Sequence, residues 1–276
     1  MRLEKIGELA AGLIIIAAFA GQSYGQTTLG ARPLAMGQAT TALPDNPWAM
    51  FENPAVLSEK QKSVSFFAIR YYSLPELTDV SAALAYPTKI GVLAGGAHHF
   101  GKIFSKTRIR LAYKNSWNKF HYGVTLNYNH IKQGGGYGSL NALGINVGIA
   151  AEITDDLWLA AKATNINHPK YGITINDIDE DLPRNLSIGF SYQLSNIALF
   201  TADILKDVNF PISFRSGLEV KIIEHLKARA GITTKPITFA GGFGYNAEHW
   251  GVNLVVQKHE NPVLGFSPGA DFRIRW

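Results

Sequence analysis

The chain contains no cysteine among its 276 residues. Disulfides, thiolate metal sites and cysteine nucleophiles are therefore excluded, and the absence suits a protein exported through an oxidising compartment. Charged residues are also sparse, at 17% of the chain, and the basic ones stand singly instead of forming runs. Because a polyanion track needs clustered basic residues, we predict no nucleic-acid partner.

Long apolar runs are missing as well. The one apolar stretch near the start, residues 13–20, is shorter than the roughly 18 residues of a spanning helix and follows a basic beginning. It predicts a signal peptide over residues 1–25, cleaved near Gln26, with Ala20 as a second candidate position. Since no later stretch is long enough for a transmembrane helix, a membrane location requires a β-barrel.

The segment after the signal peptide, residues 26–60, differs from everything downstream. It is rich in glycine and alanine, is interrupted by four prolines and shows no sustained period of two. Asn53 followed by Pro54 predicts a helical turn over residues 55–60, with Asn53 as the N-cap. Small residues let a backbone pack closely against a surrounding wall. We therefore predict that residues 26–60 form a hatch, or plug, inside a barrel.

From Ser63 onward, apolar and polar residues alternate with a period of two. In the cleanest strand, apolar residues at 186, 188, 190 and 192 alternate with small or polar residues at 187, 189, 191 and 193. About fourteen such strands fit residues 61–276, and tight connections alternate with longer ones. This alternation of tight and longer connections is typical of a barrel whose short turns all lie at one end. The predicted fold is all-β, a transmembrane antiparallel β-barrel of about 14 strands with an N-terminal hatch.

The final strand carries a pattern of its own. It resembles the assembly signal of bacterial outer-membrane barrels, in which a glycine precedes alternating apolar residues and a terminal aromatic; here these are Gly269, Phe272, Ile274 and Trp276. The resemblance implies the outer membrane of a Gram-negative bacterium, outer-membrane lipid and the barrel-assembly machinery as partners, and both termini in the periplasm. Strand ends nearest the tight turns are aromatic and predict one girdle: Tyr86, Tyr113, Phe120, Tyr192, Tyr245, Trp250 and Trp276.

If the apolar faces meet lipid, the opposite faces line the lumen. The basic residues predicted there are Arg108, Arg110, Lys114, Lys162, Arg215, Lys221, Lys227, Arg229, Arg273 and Arg275, and the acidic ones are Glu152, Asp203, Glu219 and Asp271. Two interpretations remain open. The charges pair with one another and with Asp45 and Glu52 of the hatch, which would hold the structure together, or they form a conduit that attracts anions.

The hatch segment resembles a known family. The residues that carry the resemblance are Ala31, Arg32, Ala35, Met36, Gly37, Ala39, Asp45, Asn53, Pro54 and Ala55. They are similar to the N-terminal hatch of FadL-like outer-membrane proteins, and more closely to the PorV-like branch associated with type IX secretion. The resemblance implies a hatch that plugs the lumen, with transport of hydrophobic ligands in one group of relatives and docking of proteins in the other. No ligand residue is carried over.

Two functions are therefore expected as alternatives. The first is passage of small hydrophobic molecules across the outer membrane, with the hatch as gate; the second is a non-transporting PorV-like scaffold that binds secretion-system proteins. We predict no enzyme, no cofactor and no metal, since His98, His99, His121 and His130 lack carboxylates at ligand spacing. The acidic run at Asp177, Asp179, Glu180 and Asp181 either binds calcium or forms a solvated loop.

Overall fold

The computed structural model describes residues 28–102, 104–132, 138–171, 180–261, 263 and 265–276. The predicted signal peptide, together with Asp177 and Asp179 of the acidic run, lies outside these residues. The barrel wall is built from β1 (Ser63–Arg70), β2 (Thr78–Thr88), β3 (Gly91–Phe100), β4 (Ser105–Trp117), β5 (Phe120–Lys132), β6 (Ser139–Glu152), β7 (Leu157–Ala163), β10 (Asn185–Leu194), β11 (Ala198–Asp207), β12 (Ser213–Lys221), β13 (Leu226–Thr234), β14 (Ile237–Asn246), β15 (Trp250–His259) and β16 (Phe266–Arg275).

These fourteen strands form one closed antiparallel barrel, in which β1 pairs with β16 and β7 pairs with β10. Two short strands, β8 (Lys170–Tyr171) and β9 (Glu180–Asp181), make a separate small sheet between β7 and β10. The predicted fold class and strand number are thus confirmed. Because the barrel is closed, each wall strand is paired on both sides and no strand edge is left unpaired. Unpaired edges would be costly in a membrane.

The wall has the two-sided character that the alternation predicts. Along β5 the even-numbered apolar residues are exposed and the intervening residues are buried; Leu126, for example, is 46% exposed whereas Asn127 is 2% exposed. The same holds along β10, where Ile188 is 58% exposed. Exposed apolar side chains around a closed barrel form the surface that contacts lipid. Within the described residues, no helix combines the length and apolarity required to cross a membrane.

The two ends of the barrel differ. We call the end where β1 begins and β16 ends the terminal mouth; the opposite end is the loop mouth. The registers place the tight β2–β3 and β14–β15 connections at the terminal mouth. Two rings of the predicted girdle, Tyr245 and Trp250, meet there with centroids 5.5 Å apart. Phe272 of the final strand adjoins them, with its centroid 6.5 Å from that of Trp250. Phe272, Ile274 and Trp276 are exposed on the outer face; their role as an assembly signal stays a prediction.

The N-terminal segment, residues 28–60, contains helix α1 (Ala31–Ala35) and two 3-10 turns, Ala49–Phe51 and Pro54–Val56. The predicted cap is confirmed, since Asn53 Oδ1 accepts a hydrogen bond from the Ala55 amide at 3.1 Å and Pro54 opens the turn. The turn ends at Val56 and not at residue 60, because Leu57 takes an extended backbone with ψ 138°. Helix α1 was not predicted, since five residues are too few to show a helical period.

The backbone of this segment packs directly against the inner face of the wall. Gly217 of β12 and Gly231 of β13 are cross-strand neighbours. A Cβ added to Gly217 would lie 2.4 Å from the Met36 carbonyl oxygen, and one added to Gly231 would lie 2.0 Å from the Gly37 amide nitrogen. Gly37 itself has φ +60°, a conformation that glycine adopts without strain. Because glycine has no side chain, these three positions let the backbone of the segment contact the wall.

We predict that Gly231→Ala destabilises the protein by about 1–3 kcal/mol, because the added methyl group must displace the Met36–Gly37 backbone. The measurement is the temperature at which the barrel loses its folded electrophoretic mobility in SDS. Gly241→Ala is the matched control, since its Cβ would meet only the Arg229 carbonyl oxygen, at 3.7 Å. Equal melting of the two variants would contradict the close packing.

Candidate functional site in the barrel interior

One side of the interior is apolar. The inward residues of β1 to β4 that form it are Phe67, Ile69, Ala83, Val92, Ala94 and Ala112. The N-terminal segment presents Trp48 to this side, with its ring centroid 5.8 Å from that of Phe67. The alternation analysis assigned apolar faces to lipid and missed this strip. Adjacent Phe66 and Phe67 were the available signal, because they make both faces of β1 apolar.

The rest of the interior is polar and charged. Of the lumen charges in the sequence prediction, the structure buries Arg108, Arg110, Lys114, Lys162, Asp203, Glu219, Arg229 and Asp271 on the inner face. Arg215, Lys227, Arg273, Arg275 and Glu152 are half-buried, and Lys221 is exposed. The inner side of β5 adds amides that the prediction omitted, Asn127 and Asn129. The charges therefore surround the N-terminal segment instead of lining an empty bore.

A buried ion pair joins the segment to β7. The Lys162 ammonium donates to Glu52 Oε2 at 2.6 Å, and Thr40 Oγ1 donates to the same oxygen at 3.0 Å. Burial raises the pKa of Glu52, but Lys162 and the Arg215 guanidinium lower it more, so the net shift is downward. Glu52 is consequently ionised at neutral pH, and the pair holds the middle of the segment.

Glu219 on β12 forms ion pairs with three basic side chains. Arg32 Nε lies 2.8 Å from Oε2, Arg229 Nε lies 2.6 Å from the same oxygen, and Lys227 Nζ lies 2.8 Å from Oε1. Arg32 also donates to the Pro44 carbonyl at 2.8 Å. Arg32 of the hatch motif thus fixes both ends of residues 32–44 to one wall carboxylate. Charge-assisted contacts of this kind are stronger than neutral hydrogen bonds.

Other wall carboxylates hold backbone amides of the segment. Asp203 Oδ2 accepts from the amides of Thr40 and Thr41 at 2.7 and 2.9 Å. Asp271 Oδ2 accepts from the Ala31 amide at 2.8 Å. Acceptors that satisfy buried amides add anchoring at two further strands, β11 and β16. The sequence analysis placed both aspartates in the lumen but did not identify these partners.

The remaining hatch-motif residues lie along the same segment. Met36 and Gly37 make the backbone contact with the wall, Asn53 Nδ2 donates to the Thr41 carbonyl at 2.7 Å, and Pro54 and Ala55 pack near Gly123. Asp45 is different, since its side chain is 55% exposed and its Oδ1 lies 3.9 Å from Arg273 Nη1. The motif therefore serves anchoring, with Asp45 at the terminal mouth.

The histidines do not gather around one point. Among the described residues, no group of three or more histidines and carboxylates is placed to hold a metal ion. His98 pairs with Asp79, and Arg108 Nε donates to His98 Nδ1 at 2.9 Å. This buried network was missed, because Asp79 near the start of β2 was not recognised as an inward strand residue.

Open pockets lie at both ends of the interior. Towards the loop mouth, a small space of about 20 Å³ is lined by polar residues that include Arg108, Arg110 and Asn127. At the terminal mouth, two spaces of about 170 and 200 Å³ adjoin Arg273 and Arg275. The N-terminal segment lies between the ends. A molecule that crossed the barrel would have to pass it.

No known protein-family profile matches the chain, and no curated protein matches it. Solved structures do. The Ralstonia pickettii toluene transporter TbuX is 13% identical to this chain with a TM-score of 0.67. The CymD monoaromatic hydrocarbon channel is 12% identical with a TM-score of 0.65. Each alignment covers 92% of this chain and 99% of the solved chain. A Pseudomonas aeruginosa FadL homologue is 12% identical with a TM-score of 0.53, covering 91% of this chain and 97% of its own.

At these identities the likeness shows a shared fold. It supports the FadL-like part of the resemblance and lends no support to the PorV-like part.

Proposed function

We propose that the protein passes small hydrophobic molecules across the outer membrane of a Gram-negative bacterium, with the N-terminal segment as the gate and both termini in the periplasm. The observation that carries the proposal is the uneven attachment of the segment. Its ion pairs and carboxylate contacts reach β4, β7, β11, β12 and β16. Towards β1–β3 it meets the apolar strip through Trp48.

Along this arrangement, a hydrophobic molecule can enter at a small cost in free energy. Entry between Trp48 and Phe67 replaces one apolar contact by another, since burial of apolar surface is not directional. The buried ion pair of Glu52 and Lys162 stays intact during such a displacement. The inward residues of β2 and β3 in the same cluster, such as Ala83 and Ala94, are small and apolar. TbuX is a toluene transporter and CymD is a monoaromatic hydrocarbon channel, and these functions support the same class of cargo.

A secretion scaffold of the PorV-like kind is not proposed, because it rests on the sequence resemblance alone. Outer-membrane lipid and the barrel-assembly machinery are proposed partners on the basis of the exposed apolar surface and the final strand.

We expect cells that lack this protein to take up toluene more slowly than cells that carry it, while glycerol uptake is unchanged. The reason is that an apolar strip selects hydrophobic molecules, whereas a water-filled pore would pass both. Initial rates with radiolabelled compounds measure the effect, and expression of the intact chain should restore it. Equal toluene rates with and without the protein would refute the proposed function.

A further inference from the structure

The terminal mouth contains a divided vestibule. Its two open pockets, of about 170 and 200 Å³, share Asp45, Pro47, Arg273 and Arg275. Trp48 adds an aromatic surface to the first pocket, and Ala85 adds an apolar surface to the second. Each pocket therefore offers guanidinium groups beside an apolar wall, a combination that suits a ligand with one anionic group and one apolar body.

Positive charge predominates around this vestibule. The basic residues that line the two pockets are Arg32, Lys60, Lys227, Arg229, Arg273 and Arg275, and the acidic ones are Asp45 and Asp271. Asp271 is already engaged, since it accepts from the Ala31 amide at 2.8 Å and from Asn253 Nδ2 at 2.5 Å. Arg32, Lys227 and Arg229 are paired with Glu219, so the excess of positive charge rests on Lys60, Arg273 and Arg275. An excess of cations in a partly enclosed space produces a positive potential that attracts anions.

Two buried donors at this vestibule have no acceptor. Arg275 donates through Nη2 to the Ala247 carbonyl, but its buried Nε has no hydrogen-bond partner in the described part of the chain. The indole Nε1 of Trp48 is likewise buried without an acceptor among the described residues. Both residues line the first pocket. Buried donors without acceptors cost free energy, so an acceptor supplied by a ligand at this pocket would stabilise them.

Asp45 is the exchangeable partner in this arrangement. Its contact with Arg273 spans 3.9 Å, whereas the pair of Glu52 and Lys162 spans 2.6 Å. The Asp45 side chain is also more than half exposed. A long, solvated ion pair contributes little to stability. An incoming carboxylate therefore displaces Asp45 from Arg273 at small cost.

We propose that the vestibule is a binding site for a small organic carboxylate. The ligand carboxylate takes the place of Asp45 on Arg273 and accepts from Arg275, and its apolar body packs against Pro47 and Trp48. Guanidinium groups suit this role because their planar donors match a carboxylate in a two-point contact. The site extends the proposed function to an anionic ligand, and it does not depend on passage of uncharged hydrocarbons.

The test is isothermal titration calorimetry of the full chain in detergent micelles, with benzoate as the probe. We expect Arg273→Gln to weaken benzoate binding by about tenfold or more, because a charge-assisted contact is lost. Asp45→Asn should tighten binding several-fold, since it removes the competing carboxylate. Lys119→Gln, an exposed residue paired with Asp155 at the same mouth, should leave binding unchanged.

Two comparators define the chemistry. Benzyl alcohol, which lacks the carboxylate, and inorganic phosphate, which lacks the apolar body, should both bind at least about tenfold more weakly than benzoate. No benzoate binding, equal binding of phosphate, or weaker binding by Asp45→Asn would overturn the proposal. Asp45 is exposed, so its variant tests the site even if Arg273→Gln misfolds. Because the assay measures no transport, it is independent of the toluene experiment.

Discussion

Replacement of Glu52 by alanine is expected to lower the free energy of unfolding by about 3–5 kcal/mol, because it leaves the buried Lys162 ammonium without its counter-charge. Both side chains are almost fully buried and 2.6 Å apart. Thr40 also loses the acceptor of its hydroxyl. Urea unfolding in detergent, followed by tryptophan fluorescence, measures the effect; Trp48 lies four residues from the change and is fully buried.

Two further variants separate the buried pair from general effects of charge. Lys119→Ala breaks an exposed pair with Asp155 and should cost no more than about 1 kcal/mol. The double variant Glu52→Ala/Lys162→Met removes both charges, and we expect it to recover a large part of the lost stability. If Glu52→Ala is no worse than Lys119→Ala, the pair does not anchor the segment.

Much of the fold could be predicted from the sequence because the membrane imposes a simple rule. A strand between lipid and lumen must alternate, and β5 alternates from Phe120 to Asn129, as β10 does from Leu186 to Gln193. Turn lengths carried independent information, since a barrel keeps its tight turns at one end. Asn53 and Pro54 likewise predicted a local turn, because capping depends only on near neighbours in the chain.

The partners of the interior charges could not be predicted in the same way. Arg32, Lys227 and Arg229 all contact Glu219. The alternation of residues along a strand predicts that Lys227 and Arg229 face the lumen, but it does not predict which carboxylate they contact. Their meeting depends on strand register and on the path of the N-terminal segment across the lumen. Local pattern contains neither quantity. The lumen charges were therefore found, whereas their pairing needed the three-dimensional structure.

The apolar strip was missed for a related physical reason. Inward residues of a barrel are polar when they face water, and apolar when something apolar covers them. Phe67 and Ile69 are buried because the segment places Trp48 and Phe51 beside them. A small-residue segment gave no sign of which wall its few aromatic residues would meet. The feature most relevant to hydrophobic cargo thus depends on a contact between parts of the chain that are distant in the barrel pattern.

Deletion of residues 30–54 is expected to produce the largest functional change. The segment packs against the inner face of the wall, and its Trp48 and Phe51 are almost completely buried. Its removal leaves a fourteen-stranded wall with a wide, charged lumen. Because larger barrels without internal filling conduct water and ions, we expect the conductance of the variant in planar bilayers to exceed that of the intact chain by about tenfold or more. Unchanged conductance would contradict a blocking role for the segment.

A reversible latch tests the opposite direction and does not require the deletion variant to fold. Thr41 Oγ1 and Ser187 Oγ lie 2.6 Å apart, on the segment and on β10. The chain has no cysteine, so Thr41→Cys/Ser187→Cys introduces one defined pair. Because the proposed route lies on the apolar side, between Trp48 and Phe67, we expect toluene uptake to be the same whether the pair is oxidised or reduced. Uptake that falls on oxidation and returns on reduction would contradict this route, because it would mean that the segment moves away from β10 to admit cargo.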